Sequence, residues 1–165
     1  MQTELFTITG ASGTGKSTSV PLLRMKLSES FLVYDYDEIL RPYDNTETWG
    51  DEVTEKMLQI TSENTKNNLS TVFLGLIRPY SVKHYQSKYN VGKIKFCLLD
   101  ISTKERARRL KQRGSSMSLV GGIEEHVGFR SWIGEAGYEH IVVDTAKLTP
   151  EEVVDKIYTW IDSAE

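Results

Sequence analysis

Gly10-Ala-Ser-Gly-Thr-Gly15-Lys16-Ser17 matches the pattern G-x-x-x-x-G-K-[ST] at every fixed position. It follows Leu5–Thr9, whose β-branched and aromatic residues predict a strand, and it opens Lys16–Leu27, which predicts a helix. Between a strand and a helix the pattern has a mechanical meaning. The glycines let the backbone turn so that successive N–H groups point at one anion, and the positive end of the helix dipole adds to the same site. Gly10, Ser12, Gly13, Thr14, Gly15 and Thr18 are thus expected to cradle phosphates. Lys16 should reach the β- and γ-phosphates of ATP, and the Ser17 hydroxyl should ligate Mg²⁺. The alternative is a glycine-rich turn with a surface lysine, which must produce the full pattern in this context by accident. Pro21 removes a hydrogen bond to the Ser17 carbonyl, and the sequence gives no functional account of it.

Beyond the loop, strands and helices alternate. Phe31–Tyr34, Thr71–Leu76, Ile94–Leu99 and His140–Val143 read as further strands. Between them, helices are predicted over residues 49–68, 81–89, 102–113 and 123–136, with a polar stretch over 35–48. Ser102 with Glu105 spells a capping box, and so does Thr149 with Glu152, where Pro150 sits in the first turn. Val153, Val154, Ile157, Trp160 and Ile161 give the last helix one apolar face. Apolar strands alternating with helices predict an α/β fold, a parallel sheet covered on both faces. No repeat or linker divides residues 1–165, so a single domain is expected.

The charges narrow the partners. Twenty Lys plus Arg against 23 Asp plus Glu leave a formal net charge of −3, so no overall positive field exists to hold nucleic acid. Lys104, Arg106, Arg108, Arg109, Lys111 and Arg113 crowd one helix, where a small anion could bind. The single cysteine, Cys97, lies in an apolar strand and suggests a reducing compartment. With no leader pattern and no apolar run of membrane-spanning length, the cytoplasm is the expected location.

With these features together, the chain resembles the small-molecule branch of the P-loop kinases, the group of shikimate kinase, gluconate kinase, adenylylsulfate kinase, chloramphenicol phosphotransferase and the nucleoside monophosphate kinases. The resemblance spans nearly the whole chain. It rests on the phosphate loop, on Asp35-Tyr36-Asp37, which looks like the strand-two D-x-D of shikimate kinase, and on Arg109-Leu-Lys-Gln-Arg113-Gly114, which looks like the R-L-x-x-R-G helix. Val143-Asp144-Thr145 before Thr149-Pro150 is similar to the last strand and adenine-side loop of the group. The resemblance implies a P-loop NTPase fold, with a five-stranded sheet of order 2-3-1-4-5 and a small lid over about residues 114–122. It also implies that Arg109 stacks on adenine and that Arg113 approaches the phosphates. One departure stands out: Leu74-Gly75-Leu76 lacks the Walker B carboxylate of nucleoside monophosphate kinases.

With that carboxylate absent, Asp35 and Asp37 become the candidates for Mg²⁺ and for the acceptor's proton. Residues two apart in an extended segment point the same way, so both could face one site; the alternative is a solvated strand end. Asp35 is assigned with Ser17 to the metal, and Asp37 to the acceptor hydroxyl. Asp100 also spells a Walker B ending, but its place before Ser102 favours a structural role. Arg78, Arg41 and Arg130 could border the acceptor, against the alternative of ordinary surface arginines; Trp49 could do so too, against core packing. Arg106 and Arg108 read as a solvated basic face. The expected activity is ATP- and Mg²⁺-dependent phosphoryl transfer to a hydroxyl of a small molecule. A nucleoside monophosphate kinase, a polynucleotide 5′-hydroxyl kinase and a nucleotide-binding module without transfer activity stand as alternatives.

Overall fold

The computed structural model describes residues 3–40, 49–115 and 123–163. Arg41, the side chain of Trp49 and residues 116–122 of the expected lid lie outside the described residues. The order of elements is β1 (Glu4–Thr9), α1 (Lys16–Lys26), β2 (Phe31–Asp35), α2 (Tyr36–Leu40), α3 (Trp49–Lys66), β3 (Ser70–Leu74), α4 (Pro79–Tyr85), β4 (Lys93–Asp100), α5 (Thr103–Gln112), α6 (Ile123–Glu135), β5 (Glu139–Asp144) and α7 (Pro150–Asp162). All strand pairs are parallel and the sheet order is β2-β3-β1-β4-β5, the order the resemblance implied.

Side-chain alternation along the strands divides the core into two layers. Leu5, Phe73, Phe96 and Leu98 face one side and pack with Val53, Met57 and Leu58 of α3, Val82 of α4, and Phe129 and Ile133 of α6. Phe6, Ile8, Cys97 and Leu99 face the other, against Val20 and Leu23 of α1 and the apolar stripe of α7. That stripe is the predicted one, and Thr149 and Glu152 close the predicted capping box with bonds of 3.2 and 2.8 Å. Cys97 is wholly buried, and burial pushes its thiol well above the usual range, so it remains a protonated core residue.

Three local expectations are corrected. Ser102 accepts from the Glu105 N–H, but the Glu105 carboxylate pairs with Arg108 and Arg109, so the hydroxyl half of the capping box forms while the carboxylate serves the arginines. β3 ends at Leu74: Gly75 N–H still bonds to the Ile8 carbonyl, and then the chain turns so that Ile77 exchanges two bonds with the Thr9 hydroxyl. α4 begins at Pro79, a proline in the first turn with Arg78 as N-cap, two residues earlier than periodicity suggested.

Strand register aligns the ends of the sheet. Asp35 lies level with Leu74, and Leu74 with Ile8, so the carboxyl ends of β2, β3 and β1 reach one rim together. In open α/β sheets that rim is where ligands bind.

Candidate active site

The loop between β1 and α1 is held from within and from behind. Thr14 is fully buried and its hydroxyl donates to the Ala11 carbonyl at 2.8 Å, so this side chain braces the loop. The Thr14 carbonyl in turn accepts from the Thr145 hydroxyl at 3.1 Å. Lys16 extends over the loop and donates to the Gly10 and Ala11 carbonyls. Ser17 and Thr18, in the first turn of α1, are exposed.

Beside the loop opens a cavity of about 330 Å³. Ser12, Gly13, Gly15, Lys16 and Ser17 line one side, and Asp35, Tyr36, Asp37, Gly75 and Leu76 line the other, with Leu110, Arg113 and Ser115 at its edge. The structure thus brings together both aspartates with the lysine and serine of the loop, though not by the expected route. Asp35 ends β2 and Asp37 is already helical; the Asp35 carboxylate accepts the Asp37 N–H at 3.0 Å and caps α2. Proximity comes from this turn and not from an extended D-x-D. Tyr36, between them, packs inward, because its ring lies where a Cβ on residue 75 would be, 2.3 Å from the Tyr36 Cβ. Glycine is the residue that lets β3 and α2 approach so closely.

Electrostatics distinguish the two carboxylates. Burial raises the Asp35 pKa, and the neighbouring charges of Asp37 and Glu38 act in the same direction; the Asp37 N–H and Arg24 oppose them. Asp37 is exposed. Arg24 of α1 fixes α2 from outside through two bonds to Glu38, at 3.0 and 2.7 Å, and two to the Val33 carbonyl.

A second cavity of about 230 Å³ adjoins the first, with Gly15 and Arg113 lining both. Thr14, Thr18, Ser19, Arg109, Thr145, Leu148, Pro150 and Val153 complete it. Arg109 is aligned by the Thr145 carbonyl at 2.7 Å, the Thr145 hydroxyl at 3.3 Å and the Glu105 carboxylate at 3.4 Å. A cavity lined by aliphatic side chains and guanidinium groups beside a phosphate loop suits a planar base.

Not every candidate converges here. Arg130 donates to the Asp100 carboxylate at 2.8 Å and to the Ile101 carbonyl at 2.9 Å, tying α6 to the end of β4, and it is not among the residues lining either cavity. Asp100 thus ties β4 to α6 through Arg130, a partner the sequence did not suggest. Arg78 is the N-cap residue of α4 and lines neither cavity. Arg106 overturns its reading as a solvated residue: it is 2% exposed, and its Nε donates to the Ser12 carbonyl at 3.0 Å. Its spacing from Leu110, i to i+4 on one face, was the available signal; the high local charge hid it.

No protein-family model matches the chain, and no curated protein matches it in sequence. Solved structures do match in shape. An unliganded sugar kinase from a Janibacter species has TM-score 0.69 at 16% identity, covering 97% of this chain and 95% of that one. Shikimate kinase from Bacteroides thetaiotaomicron has TM-score 0.64 at 18% identity, covering 98% and 99%. Deoxyadenosine kinase from M. mycoides has TM-score 0.56 at 21% identity, covering 96% and 99%. At such identities the likeness concerns architecture: this chain has the P-loop kinase fold, end to end.

Proposed function

We propose that this chain is a kinase that moves the γ-phosphoryl group of ATP to a hydroxyl of a small molecule with the help of Mg²⁺. The observation that carries the reading is the shared cavity, in which the phosphate loop faces Asp35 and Asp37 across about 330 Å³. Lys16 turns from the loop carbonyls to the β- and γ-phosphates, and the loop N–H groups hold their oxygens. Arg109 and Thr145 border the base.

The donor set fits a hard cation. Ser17 and Asp35 offer oxygen ligands beside the phosphates, and Mg²⁺ is commonly bound by one or two carboxylates with substrate phosphates and water. Among the described residues no group of three or more His, Cys, Asp or Glu could hold a metal, so phosphate oxygens would complete the shell here. When bound, the ion neutralises charge on the transferring group. Asp35 is given the metal because its carboxylate is the more buried and gains most from a cation; exposed Asp37 is given the proton. The acceptor oxygen bonds to the γ-phosphorus as the bond to the β-phosphate oxygen breaks, and the hydroxyl proton passes to Asp37. Arg113, bordering both cavities, stabilises charge on the equatorial oxygens.

Lys16 and Arg113 are thereby committed to the donor, and the acceptor meets Asp37, Tyr36 and Leu76. This favours a hydroxylated acceptor over one bearing a phosphate of its own. Among the described residues no helix is long and apolar enough to cross a membrane. The buried thiol of Cys97 suits a reducing compartment such as the cytoplasm. The test is ADP release from Mg²⁺-ATP across a panel of hydroxylated metabolites, nucleosides and antibiotics, with end-labelling of a 5′-hydroxyl oligonucleotide alongside. Release that depends on one small acceptor supports the proposal. Labelled oligonucleotide, or ATP bound but never transferred, would replace it with a polynucleotide kinase or a nucleotide-binding module.

A further inference from the structure

A buried guanidinium is costly unless its N–H groups are satisfied. α5 nevertheless buries Arg106 while leaving its neighbour Arg108 on the surface. What Arg106 touches gives the reason. Its Nε donates to the Ser12 carbonyl at 3.0 Å, and its Cγ would lie 3.5 Å from a Cβ on Gly13. Leu110, one turn further along, would lie 3.0 Å from that Cβ. The two side chains form a floor under residues 12 and 13 of the phosphate loop.

We infer that Arg106 is a positioning residue for phosphoryl transfer, fixing the Ser12–Gly13 peptide so that its N–H is presented to the phosphates. This rests on the reading of the loop as the nucleotide's phosphate site. The Ser12 carbonyl and the Gly13 N–H belong to one peptide unit, and there are no cis peptide bonds among the described residues. In a trans unit the two point in opposite directions. With the carbonyl held from behind by α5, the N–H is turned away from that helix. Gly13, at φ +89°, has no side chain to resist rotation of this peptide, so the restraint comes from outside the loop. A charge-assisted bond to the carbonyl also polarises the unit and makes its N–H a stronger donor. Because Arg109 and Arg113 lie on the same rigid helix, the bond sets the loop in register with the groups that line the second cavity.

The experiment compares ADP and adenosine affinities of the whole chain by titration calorimetry, for the parent, Arg106→Met and Arg106→Lys. Arg106→Met should weaken ADP about ten-fold and leave adenosine within about two-fold, since only ADP uses the loop. Arg106→Lys keeps the charge but not the Nε–H, and should lose about three-fold for ADP with adenosine unchanged. If Arg106→Met fails to melt cooperatively, Arg106→Lys carries the same comparison. ADP affinity equal to the parent's in a folded variant overturns the inference, as does a parallel loss of both ligands. Failure of both variants to fold also overturns it, because Arg106 would then support the core and not the loop. Absence of ADP binding by the parent would instead remove the functional reading beneath it.

Discussion

The two sides of the main cavity are built differently. On the donor side, bonds from two separate segments converge on the loop backbone: Thr145, after β5, on the Thr14 carbonyl and Arg106 of α5 on the Ser12 carbonyl, while Arg109 of α5 holds Thr145 itself. On the acceptor side, Asp35 is set by the end of β2, but Asp37 depends on one short helix, held by the fit of Tyr36 against Gly75 and by an exposed Arg24–Glu38 pair. Phosphate geometry is the same for any acceptor, so a rigid, redundantly braced donor side suits it; the acceptor side is free to vary with the substrate. Substitutions on the two sides should therefore differ in what they spare.

The largest effect is expected at Lys16. Lys16→Ala should reduce turnover by on the order of a thousand-fold and weaken ATP, while circular dichroism and melting temperature stay near the parent's. Activity within a few-fold of the parent would remove the distinction between the sides at its root. Next, Asp37→Asn should lower kcat by about a hundred-fold with nucleotide affinity retained, the converse of the lysine variant. Normal turnover in both Asp37→Asn and Asp35→Asn would shift the chemistry away from the end of β2. Gly75→Ala probes the acceptor side without touching a polar group. Its Cβ would overlap Tyr36 and displace α2, costing about 1–3 kcal/mol of stability, seen as a lower melting temperature. The acceptor KM should rise while ATP affinity holds; equal losses for both ligands would mean that the two sides move as one.

The smallest effect is electrostatic. Burial raises the Asp35 pKa, so the folded chain binds that proton more tightly than the unfolded chain does. The resulting stabilisation is complete below the unfolded value of about 3.9 and is lost as pH rises through the folded one. Asp35→Asn should accordingly melt slightly higher than the parent at neutral pH, with the difference vanishing as pH falls to about 4. A lower melting point at neutral pH would show that the carboxylate is stabilised in the free protein.

The phosphate loop, the alternation of strands and helices, the α7 stripe with its cap, and the burial of Cys97 were all legible along the chain. Each is a local matter: φ-permissive glycines, a period of two or of 3.6, a hydroxyl three residues from an N–H. Lys16, Ser17, Asp35 and Asp37 could be located in the same way, and they do meet. How they meet depends on packing, because Asp37 is carried to the cavity by a helix that begins inside an apparently extended D-x-D. The same holds for Arg106 and Arg130. In sequence Arg106 reads as a solvated arginine and Arg130 as a candidate at the acceptor, and what each guanidinium does depends on which carbonyl or carboxylate a distant segment supplies. Ser12 lies 94 residues from Arg106, and Asp100 lies 30 from Arg130. Hydrogen bonds over such separations exist only once the sheet register has set its rim, so the spacing of Arg106 and Leu110 could signal a shared helix face but not the partner that face would meet.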